Sequence, residues 1–172
     1  MLTPHIQARA TCRIRHERAY DYDKRRGIWL RRLESEEEVG NILTDAGRRT
    51  LHTFIYGTAA QRTSASLGAD GLSYIALSND AGSPAAGDTA LTGELSGSGL
   101  DRVMGTVTLP TGSGTITTVS NQFTFTGGTQ NVQKTALFDA ASGGNMAHEI
   151  LFTQRTLNTS DTITITFQIT LT

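Results

Sequence analysis

From Thr162 to Leu171 the chain alternates between apolar and polar residues without a break. Ile163, Ile165, Phe167, Ile169 and Leu171 fall on one side, with Thr162, Thr164, Thr166, Gln168 and Thr170 on the other. A period of two rich in β-branched residues predicts a strand with one face buried. Its apolar set makes it a central strand, each buried side chain contributing about 1.5–3 kcal/mol before the entropy of ordering is subtracted. The same period recurs upstream. It predicts strands over Leu72–Ser78, Val103–Leu109, Ile116–Ser120, Gln122–Thr126, Val132–Phe138 and Met146–Gln154, separated by glycine-rich turns.

The first forty residues alternate differently. Ile6, Ala8, Ala10, Cys12 and Ile14 face one way, and Gln7, Arg9, Thr11, Arg13 and Arg15 the other. This predicts a strand lined with arginines, a turn over Asp21–Gly27, and a returning arm over Gly27–Leu33 that carries Trp29, the sole tryptophan. The acidic run Glu34–Glu38 reads as a solvated turn. A helix is predicted over Thr44–Gly57, with Thr44 as N-cap, Asp45 at the positive end of the dipole and Gly57 at the C-terminal left-handed position. Residues 58–66 lack an apolar face and read as loop. The expected fold is therefore all-β, a β-sandwich or jelly-roll-like domain, with one α-helix near residues 44–57 and an N-terminal β-hairpin arm. The expected division is a basic hairpin or docking arm at 1–40 and a β-sandwich at 41–172.

Charge sharpens that division. Residues 1–50 hold eleven basic and eight acidic side chains, whereas residues 51–172 hold four and eight, so +3 is followed by −4 in a chain of net charge −1. Only Lys24 and Lys134 are lysines among fifteen basic residues. Arginine suits bidentate and stacked contacts at interfaces, and a GC-rich genome yields the same bias. The candidate protein-interface residues are Arg9, Arg13, Arg15, Arg18, Arg25, Arg26, Trp29, Arg31 and Arg32, beside Tyr20 and Tyr22. They read either as a docking arm or as a solvated hairpin neutralised by Glu17, Asp21, Asp23 and the acids of 34–38. Those interleaved acids argue against nucleic acid as the partner.

No sequence signature of chemistry emerges. His5, His16, His52 and His148 are scattered, and the His16-Glu17 and His148-Glu149 neighbours point to opposite faces of a strand. Zinc-protease, paired-cysteine and serine-hydrolase motifs are missing. Gly127-Gly128, Gly143-Gly144 and Gly112-x-Gly114 read as hairpin glycines. Cys12, the single cysteine, reads as a small buried hydrophobe and fits folding in a reducing cytoplasm. No enzyme, cofactor or metal site is expected, and no apolar stretch is long enough to span a bilayer.

Several short motifs occur in a telling order. They are Asn41-Ile-Leu-Thr-Asp-Ala-Gly-Arg48, Tyr74-Ile-Ala-Leu-Ser78, Asp88-Thr-Ala-Leu-x-x-Glu94, Arg102, Ala136-Leu-Phe-Asp139, Gly143-Gly-Asn-Met-Ala147 and Asp161-Thr-Ile-Thr-Ile-Thr-Phe167. This series, over about residues 41–171, resembles a group of tailed-bacteriophage virion structural proteins that includes the tail-collar fibre N-terminal domain. Lys134-Thr-Ala136 stands where that group usually carries Glu-x-Gly, and Ser78 where glycine is common. Collar fibres continue into a shaft or receptor-binding region, whereas this chain ends on its last strand.

The resemblance implies a non-enzymatic subunit of the virion, made and assembled in the bacterial host cytoplasm. The expected role is a capsid decoration or cement protein, or another accessory subunit. A neck or tail protein (collar or tail-fibre adaptor) is the alternative, and a carbohydrate-binding host-recognition module is a third reading. The expected partners are other virion proteins, whether major capsid, neck or tail subunits, and further copies of the chain, with neither nucleic acid nor membrane involved.

Overall fold

The computed structural model describes residues 8–40, 42–47, 71–111 and 115–171. Ten strands form two antiparallel five-stranded sheets. In chain order they are β1 (Ala8–Asp23), β2 (Ile28–Gly40), β3 (Ile42–Leu43), β4 (Tyr74–Ser78) and β5 (Val103–Met104), then β6 (Thr106–Thr108), β7 (Ile116–Thr124), β8 (Thr129–Phe138), β9 (Met146–Asn158) and β10 (Thr162–Leu171). The first sheet runs β2-β1-β10-β7-β6 and the second β3-β9-β8-β4-β5. The all-β expectation holds.

The last strand is central, as its pattern requires. β10 pairs with β1 along one edge and β7 along the other, and Ile163, Ile165 and Phe167 are wholly buried. Cys12 and Ile14 of β1, Val119 and Phe123 of β7, and Leu77, Leu137, Ile150 and Leu157 of the second sheet complete the core between the layers. β1 follows its predicted alternation, with Cys12, Ile14 and His16 buried and Arg13 and Arg15 exposed. The expected boundary near residue 40 falls between β2 and β3, while β1 supplies two residues to the common core.

The second sheet is covered on both faces at its centre. Lys134 to Phe138 of β8 and Met146 to Ile150 of β9 are buried without alternation, as expected when neither face meets water. Its outer face carries a smaller cluster of Ala76, Ala136, Phe138 and Met146 closed by Leu91 from the long connection after β4.

Three local expectations change. Val103–Leu109 is not one strand. β5 pairs with β4 in the second sheet and β6 with β7 in the first, so the chain changes sheets at Gly105. There the Gly105 N–H donates to Ser73 O at 2.8 Å. A Cβ on Gly105 would lie 3.0 Å from both Ser120 O and Val119 Cγ1, so only glycine fits the crossing comfortably. Conversely, Ile116–Ser120 and Gln122–Thr126 merge into the single strand β7. The acidic run 34–38 is no turn but the inner half of β2, where cross-strand pairing to β1 supplies its backbone partners. The helix starts as expected, with the Gly47 N–H donating to Thr44 Oγ1 at 3.0 Å. Residues 48–57 of that helix and the loop at 58–66 lie outside the described residues.

Candidate protein-interface site

The hairpin β1–β2 has two unlike halves. Residues Ala8 to Glu17 of β1 pair with β10, but from Arg18 onward β1 is paired only to β2 among the described strands, to Asp23 opposite Ile28. Six residues at the strand rise carry this ribbon about 20 Å beyond the sheet. Two register shifts bracket its base, where Glu34 of β2 and Tyr20 of β1 are the extra residues. Such bulges bend and twist a ribbon away from its sheet. The base is tied down by Asp161 in the β9–β10 turn. This buried carboxylate accepts from the Ala19 N–H at 2.7 Å and the Asn158 N–H at 2.9 Å, and His16 Nε2 lies 3.5 Å from it. Arg31 Nε donates to Ser160 O at 3.2 Å from the other arm.

Beyond the base the ribbon exposes apolar surface. Tyr22 and Trp29 are directly opposed in register, with ring centroids 5.3 Å apart and planes tilted by 57°. Tyr20, Ile28 and Leu33 are also exposed, Tyr20 at 60% and Leu33 at 50%. The turn at Lys24–Gly27 is built by Asp23, whose carboxylate accepts from the Arg25 and Arg26 N–H groups, and by Gly27 at φ +66°. From Arg18 to Leu33 there are six basic and two acidic residues. The tip is thus aromatic, apolar and cationic.

The sequence-predicted arginines divide between these halves. Near the sheet, Arg13 lies 3.6 Å from Glu36 and 3.4 Å from Glu38, and Arg15 pairs with Glu17 at 2.7 Å. At the base, Arg18 and Arg32 both approach Glu34, at 3.9 and 3.7 Å. Arg26 sits 3.6 Å from Asp23 across the turn. Arg25 makes no ion pair among the described residues, and Arg9 pairs through its backbone with Thr170. The hairpin brings Arg25, Arg26, Arg31 and Arg32 together with Trp29, and leaves Arg13 and Arg15 on the flank of the sheet. Sequence reasoning misses the exposed Ile28 and Leu33. Their signal is an apolar residue beside arginines in a strand longer than the sheet it joins.

One acid of the run has a different task. Glu37 of β2 accepts from the Thr153 N–H at 3.1 Å and from Arg155 Nη2 at 2.6 Å, binding the edge of the first sheet to β9 of the second.

The histidines do not converge. His16 lies at the hairpin base, where burial lowers its pKa against the opposing pull of Asp161. His148 is buried 6.4 Å from Phe167, and burial lowers its pKa to about 4. His5 and His52 lie outside the described residues. Burial raises the Cys12 thiol far above its usual range. Among the described residues no group of three or more His, Cys, Asp or Glu side chains could hold a metal ion.

Arg102, noted in the sequence only as a member of a motif series, is a structural clasp. Its guanidinium meets Glu94 through two bonds of 2.8 and 2.6 Å, donates to Gly143 O at 2.7 Å and lies 3.6 Å above the Phe138 ring. Three of the quoted motifs therefore meet at one planar cation.

Residues 60–172 match a family model described as "Podophage GP4 fiber I protein gp80". No curated protein matches the chain.

Proposed function

The chain belongs to the podophage GP4 fiber I protein gp80 family, and from that premise we propose that it is a non-enzymatic virion subunit serving the fibre apparatus, docked to a neighbouring virion protein through its N-terminal hairpin tip. The observation that carries the docking role is the ribbon beyond Glu17. It displays Tyr20, Tyr22, Ile28 and Trp29 to solvent on a two-stranded element braced by Asp161. Folding gains little from exposing such side chains, whereas Trp, Tyr and Arg are the residues that dominate binding energy at protein interfaces. Arg25, Arg26, Arg31 and Arg32 would orient the approach toward an acidic surface. The arginines already matched to Glu36, Glu38 and Glu17 contribute less, because exposed pairs are worth about 0–1 kcal/mol each.

The fibre position is favoured over shell decoration by the family's description alone. Copy number per particle separates the two. A small multiple set by tail symmetry supports the fibre reading, and hundreds of copies would replace it with decoration of the shell. The docking role is tested by removing Ala19–Arg32 and bridging Arg18 to Leu33 with a short turn. The shortened chain is expected to fold and to be absent from particles; incorporation at normal occupancy would sink the role. The proposal extends to self-association, for which the exposed Val107 and Leu109 beside edge strand β6 offer a surface.

A further inference from the structure

A second constellation, remote in sequence from the hairpin, lies on the outer face of the second sheet. Lys134 of β8 stands opposite Ser78 of β4 in register, and Glu149 of β9 is its diagonal neighbour on the other side, two residues before Leu151. Asp80 follows two residues after Ser78. The pleat therefore puts Ser78, Lys134 and Glu149 on one face, with Asp80 at its rim. Lys134 Nζ lies 2.5 Å from Asp80 Oδ2 and 3.2 Å from Glu149 Oε1. The lysine side chain is 3% exposed and the Glu149 side chain 2%, while Asp80 is 29% exposed.

An ordinary ion pair does not account for this arrangement. One carboxylate balances one lysine, yet Glu149 is buried there as well, hydrogen-bonded to the carboxyl of Asp88. A second buried acid beside one lysine is costly in its charged form. Burial and the neighbouring Asp88 raise Glu149 above the usual carboxylate range, which makes it the better proton acceptor of the cluster. Asp80 is held low, chiefly by its bond to Lys134. Its position is fixed from the backbone, because the Asp80 N–H donates to Ser78 Oγ at 2.9 Å and its Oδ2 accepts from the Gly82 N–H at 3.1 Å.

We propose that Lys134 and Asp80 become joined by an intramolecular isopeptide bond, with Glu149 as the catalytic residue. The Lys134 ammonium passes one proton to Asp80 Oδ2, giving a neutral amine beside a neutral acid. Nζ attacks Cγ, the second proton moves through Glu149 to the departing hydroxyl, and one water leaves. The amine and carboxyl become an amide, two protons and one oxygen depart as water, and Glu149 ends as it began. No oxidant, metal or nucleotide is required. The fold supplies the driving positioning, since holding the two groups in contact replaces an encounter.

The bond would close the chain from Asp80 to Lys134 and rivet the covering segment to the sheet. A chain whose single cysteine is buried has no intrachain disulfide available for that purpose. This inference is independent of the hairpin and of any position in the particle.

Intact-mass spectrometry of the folded, then denatured, full chain tests it. The native protein is expected to be lighter than its sequence by one water, with a branched peptide joining Asp80 to Lys134. Lys134→Ala and Asp80→Ala are expected to restore the full mass. Glu149→Gln is expected to form the link about a hundredfold more slowly. The proposal is overturned if the native chain keeps its full mass after prolonged incubation, or if the water loss persists in Lys134→Ala. Linking at an unchanged rate in Glu149→Gln would remove the catalytic role of that residue. The native mass decides the matter even if a variant fails to fold.

Discussion

The inner and outer halves of the hairpin are one continuous pair of strands, yet they meet opposite fates. Between Thr11 and Glu17, β1 has a strand on each side and places Cys12 and Ile14 in the core. Between Arg18 and Asp23 it has only β2, and its large side chains face water. The charges sort the same way. Carboxylates of β2 accompany the inner arginines, whereas the outer ribbon keeps a basic excess. A strand becomes structure where a second ladder is available and surface where none is, whatever its own period predicts.

The largest effect expected from challenging this contrast comes from the inner side. Phe167→Ala, opposite Cys12 in the ladder, should cost about 3–5 kcal/mol in denaturant unfolding. Removing a tip side chain should not approach that value.

The next effect is a dependence on pH. His148 has a folded-state pKa of about 4, below its ordinary value of 6.5. The unfolded chain therefore binds the proton more readily, and stability is complete above about pH 6.5. It falls as the pH drops from there toward 4, by up to about 3 kcal/mol from this group. His16 shifts in the same direction. Unfolding midpoints measured across that window should flatten in His148→Phe, and an unchanged slope would remove the assignment.

Asp161→Ala tests the joint between the halves. It strips the acceptor from the Ala19 and Asn158 N–H groups and should cost about 2 kcal/mol. It should also loosen the ribbon, visible as faster amide exchange at Ala19 while exchange in β10 stays slow. Smallest in stability is Trp29→Ala, within about 0.5 kcal/mol of the parent. Its effect belongs to binding, as reduced incorporation into particles. A Trp29 variant that unfolds the sandwich would erase the distinction between the two halves.

How much of this is legible in the sequence depends on where each partner lies along the chain. The alternation of β1 and β10 is local, and both can be read from their own residues. Glu34–Glu38 resembles a turn because nothing nearby explains four acids. Their explanation lies in Arg13, Arg18 and Arg155, remote in sequence. β7 resembles two strands because Asn121 interrupts its apolar side; it stands opposite Ile165 and only the ladder shows the continuity. The split at Gly105 is hidden for another reason: a period of two gives the face of a residue and not the sheet to which it belongs. In the interface, the basic and aromatic character of the ribbon is legible, but its separation into paired and projecting arginines is not. Arg102 and Asp161 are visible only as members of a motif series, and their bonding partners give those motifs a mechanical meaning.

The continuity of β1 from tip to core has a further consequence. If the ribbon is gripped at its end, a pull travels lengthwise along β1 and reaches β10 parallel to both strands. Every rung from Glu17 opposite Thr162 to Ala8 opposite Leu171 then resists together, as in a lap joint loaded in shear. Peeling, in which rungs break in succession, would need a sideways force that an anchor in line with the strand does not exert.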